Sequence, residues 1–154
     1  MQEGGKILAE ILKKLSEAVR PGITTWELEE LAVKLIEQYP GASPAFKDYV
    51  LNRPFKGYKT FPTALCVSIN HEVVHAIPLK EKVINPGDVV NIDFGVRYKG
   101  FVTDSAITIL VPNGKDMELK KKLIQTTKEC LDIGISKARV GNTIGDIGSA
   151  IQKY

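Results

Sequence analysis

The sequence contains little of what several large protein classes require. Its 154 residues include two cysteines, two histidines and one tryptophan, and no apolar run reaches the roughly 20 residues of a membrane span. Cys66 and Cys130 lack the C-x-x-C spacing of a redox or zinc motif. No secretion signal opens the chain. A reduced, cytoplasmic setting is the simplest interpretation, and a single disulfide stays open as an alternative.

The charged residues also exclude a class of partner. They make up 25% of the chain, apolar residues make up 44%, and the net charge is +3. Lysines alternate with glutamates along helical segments instead of clustering, so we expect no specific nucleic-acid binding and no membrane binding. These values predict one globular domain over residues 1 to 154.

Four helices are predicted from apolar spacing and capping signals. A first helix spans about residues 6 to 19, where apolar residues recur at helical spacing. A second begins after Thr24, because Glu27 three residues later completes a capping box. Asp116 is expected to cap a third helix, and Thr143 starts a fourth in the pattern of Thr24.

The strand signals lie in the middle of the chain. Residues 64 to 69 are apolar and β-branched, and residues 89 to 97 and 101 to 111 form a predicted hairpin around 98 to 100. Residues 41 to 62 form a long aromatic loop, which suits either the rim of a binding site or a segment packed on the core. The predicted fold class is α+β.

Two short segments resemble each other. Residues 20 to 27, R-P-G-I-T-T-W-E, align with residues 139 to 146, R-V-G-N-T-I-G-D, and each follows an amphipathic helix. The alignment predicts a first structural repeat over about residues 1 to 118. A second repeat would begin at about residue 119 and be incomplete at Tyr154.

Asp93 and Asp104 lie on opposite arms of the predicted hairpin. A two-residue turn at Tyr98-Lys99 would place them directly opposite each other with Cβ atoms ~5 Å apart, whereas a bulge at Gly95 or a longer loop would shift this register. Facing carboxylates destabilise a sheet unless a cation or a shared proton compensates, and divalent ions bind such oxygens well. A pair of outward-facing, solvated aspartates is the alternative.

The segment H-E-V-V-H at residues 71 to 75 has the letters of a zinc-protease motif. That motif works on a helix, where both histidines reach one ion. Val73 and Val74 follow a strand-like segment, and the chain has no third histidine. We therefore predict that the segment is not a helical zinc site, and that a single histidine works near the aspartates.

Three motifs together resemble the type I methionine aminopeptidases, metallopeptidases of the pita-bread fold. They are C-V-S-I-N-H-E-V-V-H-A-I-P at 66 to 78, P-G-D-V-V-N-I-D-F-G at 86 to 95, and G-F-V-T-D-S-A at 100 to 106. Flanking segments, including P-G-I-T-T-W-E-L at 21 to 28, resemble the same family in the same order. The expected fold is therefore the first half of a pita bread, with the second half incomplete.

The resemblance implies a role for six residues. Asp93 and Asp104 would be metal ligands, with Asp104 bridging two ions, and His75 would be the catalytic, substrate-binding histidine. The methionine side chain would be enclosed by Tyr58, Phe61 and Cys66. His71 matches no functional position of the family.

The resemblance also implies a cofactor and a substrate. Two divalent ions (cobalt, manganese, iron, zinc or nickel) would hold a bridging hydroxide that attacks the first peptide bond of nascent proteins beginning with methionine. The family's other ligands, one histidine and two glutamates, have no match before Tyr154, so the isolated chain is expected to be inactive. Residues 47 to 54 resemble an insertion, which leaves the place of Phe55 open.

Two other interpretations are compatible with the sequence. The first is a non-catalytic binding or assembly module that self-associates through the incomplete half. The second is an Xaa-Pro peptidase, which shares the fold and the aspartates.

Overall fold

The protein is described by a computed structural model covering residues 1 to 55 and 57 to 154, with the backbone alone for residues 51 to 55. Its elements in chain order are α1 (Gln2–Ala18), α2 (Thr25–Ile36), β1 (Ala42–Pro44), β2 (Val50–Phe55), β3 (Tyr58–Thr60), β4 (Leu65–Ile69), β5 (Val89–Tyr98), β6 (Phe101–Leu110), α3 (Met117–Lys137) and α4 (Ile144–Lys153). The predicted α+β class is confirmed. The chain divides into two compact units, Met1–Lys115 and Asp116–Tyr154. The repeat inferred from the sequence stays a prediction.

The core of the first unit lies between two helices and one face of a sheet. Leucines and isoleucines at helical spacing give α1 and α2 one apolar face each, and alternate residues of β5 face them from the sheet. Each fully buried side chain of this size contributes roughly 1.5–3 kcal/mol. The central members are Leu8, Ile11, Leu15, Leu28, Ala32, Leu35, Val90, Ile92, Phe94 and Val96.

Strand β5 is the centre of the main sheet. It pairs with β6 along one side, and with β1 and β4 along the other, always antiparallel. The β5–β6 pairing runs without a bulge from Val89↔Leu110 to Tyr98↔Phe101. Both turn residues, Lys99 and Gly100, have positive φ, which is the geometry of a type I′ hairpin turn.

This turn corrects the predicted register. Lys99 and Gly100, not Tyr98 and Lys99, are the turn residues, so Asp104 lies opposite Gly95 and Asp93 lies opposite Ala106. The prediction that the two aspartates face each other directly is wrong. They are diagonal neighbours on the same face, at a separation of about 7 Å for such pairs.

The second unit consists of α3 and α4, which pack against each other. Thr143 and Asp146 form the capping box at the start of α4, as the sequence predicts, and Thr24 and Glu27 do the same for α2 in the first unit. Asp116 precedes α3, but it has left-handed backbone angles and its side chain makes no capping hydrogen bond. The predicted cap at Asp116 is therefore wrong in its chemistry, though its position is right.

Two expectations about the whole chain can be compared with these elements. Among the helices of residues 1 to 55 and 57 to 154, none has the length and apolar character needed to cross a membrane. Cys66 and Cys130 are both free thiols.

Candidate active site

The candidate site lies on the sheet face opposite the two helices. Even-numbered residues of β5 enter the helix-covered core, so Asp93 and Gly95 point to the other face. Asp104 is paired with Gly95, and Cys66 is paired with Asp93. Three neighbouring strands thus place a thiol and two carboxylates on one surface.

The two carboxylates repel each other. Three causes together raise the pKa of Asp93 to about 6. Partial burial contributes most, followed by the charge of Asp104 and a hydrogen bond between the two side chains. The electrostatic effect of His75 acts in the opposite direction and lowers the pKa of Asp93. The diagonal arrangement therefore still keeps two like-charged carboxylates close together on one face of the sheet.

An apolar cavity of about 410 Å³ opens beside the carboxylates. The rings of Phe46 and Phe61 meet edge to face with centroids 6.3 Å apart, and Phe61 packs in one cluster with Cys66. The described residues that line it are Ala45, Phe46, Tyr49, Phe61, Cys66, His75, Asp93, Arg97, Val102 and Asp104. Carboxylates at one wall and aromatic rings at another suit a ligand with a polar end and an apolar side chain.

Cys66 has the chemistry of a wall residue. Burial raises the pKa of its thiol to about 12, and the nearby charges of Asp93 and Asp104 act in the same direction. A thiol with that pKa stays protonated at neutral pH and is a poor nucleophile. Cys66 is therefore suited to lining the cavity and not to nucleophilic attack.

His75 lies at the cavity on the irregular segment between β4 and β5. The segment 70 to 88 contains neither helix nor strand, which confirms that H-E-V-V-H is not a helical zinc motif here. His75 has a φ of 58°, uncommon for a residue with a side chain. His71 is exposed and is not among the described residues that line the cavity.

The structure brings together five of the six residues implied by the resemblance. His75, Asp93, Asp104, Phe61 and Cys66 all line the cavity. Tyr58 lies on the short strand β3 with 43% of its surface exposed, and it is absent from the lining formed by the described residues. The side chain of Phe55 lies outside the described residues.

Several lining residues were not singled out by the sequence. Phe46 belongs to the aromatic loop whose role was open, and its ring at the cavity favours the rim interpretation over the purely structural one. Arg97 and Val102 pair with each other across the ladder. Arg97 stands four residues from Asp93, and this even spacing in a strand was the signal that could have identified it.

Gly95 makes room for the aromatic wall. A Cβ atom added at Gly95 would lie 2.8 Å from the Phe46 ring and 2.9 Å from the Ala45 Cβ. The carbonyl of Gly95 also accepts a hydrogen bond of 2.8 Å from the Ala45 N–H. Glycine at this position therefore allows the loop with Phe46 to approach the sheet beside Asp104.

A buried carboxylate on α2 holds the start of β4. Glu29 is 4% exposed, and its two oxygens accept hydrogen bonds from the N–H groups of Ala64 (2.8 Å) and Leu65 (3.2 Å). Burial raises the pKa of Glu29, while these hydrogen bonds act in the opposite direction. The contact fixes the backbone that joins Phe61 to Cys66.

The side chains of the site can be compared with the ligands that divalent cations prefer. Asp93 and Asp104 provide hard carboxylate oxygens, which suit divalent cations. Within residues 1 to 55 and 57 to 154, no group of three or more histidine, cysteine, aspartate or glutamate side chains is arranged to hold a metal ion. The two aspartates thus fit a divalent ion as a partial ligand set.

Comparisons with known proteins agree on one family. The model of the family described as metallopeptidase family M24 matches residues 1–154. The chain is 47% identical to the methionine aminopeptidase of Aquifex aeolicus over 153 residues, which are 99% of this chain and 57% of that protein. It is 40% identical to the methionine aminopeptidase of Clostridium acetobutylicum, covering 100% of this chain and 57% of that protein.

Solved structures extend the likeness to the fold. The methionine aminopeptidase of Thermotoga maritima superposes with a TM-score of 0.86 at 35% identity, over 99% of this chain and 57% of that chain. An Xaa-Pro dipeptidase from Bacillus anthracis gives 0.78 at 23% identity, over 100% and 38%, and shows the shared fold alone. These neighbours confirm the expected pita-bread fold. The chain spans about 57% of the length of the curated relatives compared above.

Proposed function

We propose that this chain, which belongs to metallopeptidase family M24, carries the pocket and two metal-binding aspartates of an aminopeptidase that removes amino-terminal methionine. The observation that carries the proposal is the closely spaced pair of carboxylates, Asp93 and Asp104, at the wall of an apolar cavity. The relatives bearing the name methionine aminopeptidase support the same activity.

The cavity offers a place for the methionine side chain. Its volume of about 410 Å³ falls within the range of small-ligand pockets, roughly 300–1,000 Å³. The Phe46 and Phe61 rings and the protonated Cys66 thiol present apolar, polarisable surface to a thioether. The side chain would enter between them, and the substrate's amino terminus would approach the carboxylates.

Asp93 and Asp104 would hold one or two divalent ions. When bound, such ions polarise the peptide carbonyl and lower the pKa of water, which supplies the nucleophile that the protonated Cys66 does not. The carboxylates bind and orient the ions, and a third residue, His75, donates a hydrogen bond to the peptide beside the scissile bond. The family resemblance supports this division of roles.

The remaining metal ligands would have to come from groups other than Asp93 and Asp104. Two carboxylates seldom bind a pair of ions tightly, because catalytic centres use three or more protein ligands. We therefore expect the isolated 154-residue chain to release methionine at a negligible rate.

A chimera tests the proposal directly. The chain would be fused to the part of the Aquifex aeolicus protein that it does not match, and release of methionine from Met-Ala-Ser would be measured with Mn²⁺ or Co²⁺. We expect activity from the chimera, and a loss of at least 100-fold on substitution Asp93→Asn or His75→Ala. Ala-Pro dipeptide, assayed in parallel, tests for an Xaa-Pro peptidase.

Two controls make the result interpretable. His71→Asn changes a histidine that lies outside the cavity lining and should retain activity. A folded chimera that cleaves Ala-Pro but not Met-Ala-Ser would refute the proposed substrate. Methionine release by the isolated, monomeric chain would refute the expectation that it is inactive.

A further inference from the structure

Three hydrogen-bond acceptors from different parts of the chain bind the backbone N–H groups at the outer edge of β4. All five residues of β4 are in register with β5, but in antiparallel pairing only alternate residues direct their N–H groups to the partner strand. The N–H groups of Leu65, Val67 and Ile69 instead bond to acceptors outside β5. Glu29 accepts from Leu65, the Ala76 carbonyl accepts from Val67 at 3.0 Å, and Glu72 accepts from Ile69 at 2.8 Å. The segment after β4 therefore folds back along this edge and is bonded to it at two points.

Glu72, the glutamate of H-E-V-V-H, is one of these two points. Besides Ile69, its carboxylate contacts the ammonium group of Lys82 at 2.5 Å, and the two side chains are only 25% and 21% exposed. Partial burial strengthens such a pair relative to a fully exposed one. The contact joins the beginning of the 70–88 segment to its later part.

His75 lies between the two points of attachment. Ala76, the next residue, is bonded to Val67, and Glu72 is bonded to Ile69 three residues earlier. Val73 and Val74 between them are 85% and 60% exposed, so packing contributes little to holding the loop. The backbone of His75 is in the left-handed region, which persists only where its surroundings hold it.

We propose that Glu72 and Lys82 form a latch that positions His75 at the cavity. Glu72 is thus a positioning residue. It takes no part in the chemistry, although the letters of the H-E-V-V-H motif suggest that it would. The catalytic consequence rests on the role proposed above for His75, whereas the effect on the position of the ring can be measured without activity.

Nuclear magnetic resonance of the histidine rings tests the latch in the intact 154-residue chain. The chain has two histidines, so the ring spectrum contains two sets of signals, which His71→Asn assigns. Lys82→Met should shift or broaden the His75 signal and accelerate hydrogen exchange of the Ile69 amide by about tenfold. Lys82→Arg, which keeps the cation, should restore the wild-type spectrum.

Lys80→Met is the matched control. Lys80 lies two residues away and its ammonium group sits 5.7 Å from the centre of the Trp26 ring, so its loss removes a cation without touching the latch. Its spectrum should overlay that of the wild type. If Lys82→Met fails to fold, Glu72→Gln replaces it, since this variant keeps an oxygen for Ile69 and loses the charge that holds Lys82.

The outcomes separate the latch from the peptidase proposal. A His75 signal that is unchanged in Glu72→Gln and in any folded Lys82→Met would overturn the latch, whatever the activity of the chimera. A displaced His75 signal supports it, even if the chimera proves inactive and the peptidase proposal fails. In an active chimera, the latch predicts that Lys82→Met lowers kcat about tenfold while Mn²⁺ affinity stays unchanged.

Discussion

Replacing Asp93 with asparagine should stabilise the metal-free protein while removing its proposed function. Asparagine keeps the shape of the side chain and removes a charge that is disfavoured first by partial burial and then by the nearby Asp104 carboxylate. A rise of the Asp93 pKa from 3.8 to about 6 means that the fold disfavours the ionised side chain by about 3 kcal/mol, at 1.36 kcal/mol per pKa unit. Because Asp93 is only half-buried, water screens much of this, and we expect a gain of about 1 kcal/mol at pH 7.5.

The gain in stability from Asp93→Asn should increase with pH. Since the pKa of Asp93 is raised in the folded state, its contribution to stability is fully present below pH 3.8 and is lost as the pH rises through about 6. Asparagine has no such loss. The difference in free energy of unfolding between Asp93→Asn and wild type should therefore be near zero at pH 4 and reach its full value above pH 7.

Urea unfolding followed by the fluorescence of Trp26 measures this difference. Trp26 is the single tryptophan and lies on α2, so it reports on the unit that contains the site. Glu81→Gln, which removes one exposed negative charge from the same unit, is the control and should show no comparable pH-dependent gain. Added Mn²⁺ should stabilise the wild type and leave Asp93→Asn unchanged. If the variant is less stable than wild type at pH 7.5, the ionised Asp93 side chain does not destabilise the metal-free fold and the reasoning is refuted.

Two further substitutions test how the cavity is built. Gly95→Ala should destabilise the protein by roughly 1–3 kcal/mol in urea unfolding, because the new Cβ would collide with the Phe46 ring. The same collision should weaken the binding of free methionine. Methionine binding equal to that of the wild type would contradict the close approach of Phe46 to Gly95. Glu29→Gln should cost about 1–3 kcal/mol, because its amide can accept from only one of the N–H groups of Ala64 and Leu65. A neutral effect in the same assay would contradict a stabilising role for the second hydrogen bond.

Local signals made much of the fold predictable. The capping boxes at Thr24 and Thr143 require only residues three apart, and both form as the sequence predicts. The hairpin was also predictable, because two β-branched segments flank a short turn containing Gly100. The resemblance to a family then supplied the fold, and the comparisons confirm it.

The predictions that failed depend on single backbone angles. Lys99 adopts positive φ next to Gly100, which moves the turn by one residue and the aspartates from a facing to a diagonal pair. Glycine at the second turn position is the sequence signal for this register. Asp116 likewise adopts positive φ, and its side chain makes no capping bond.

The polar residues that line the cavity were more predictable from the sequence than its walls, while their roles stay predictions. Asp93, Asp104 and His75 are polar residues in distinctive motifs, and the structure brings all three to the cavity. Phe46 reaches the cavity because Gly95 lacks a side chain, a contact between segments about 50 residues apart. Tyr58 was assigned by resemblance alone and lies exposed on β3.

The closed edge of β4 also bears on how the protein behaves at high concentration. Unpaired strand edges recruit strands from other molecules, and the two carboxylates, Glu29 and Glu72, occupy donors that such a strand would use. Their loss would uncover an apolar five-residue strand, all of it buried in the folded chain. Substitutions at these glutamates should therefore lower soluble yield and promote aggregation more than their effects on unfolding alone would suggest.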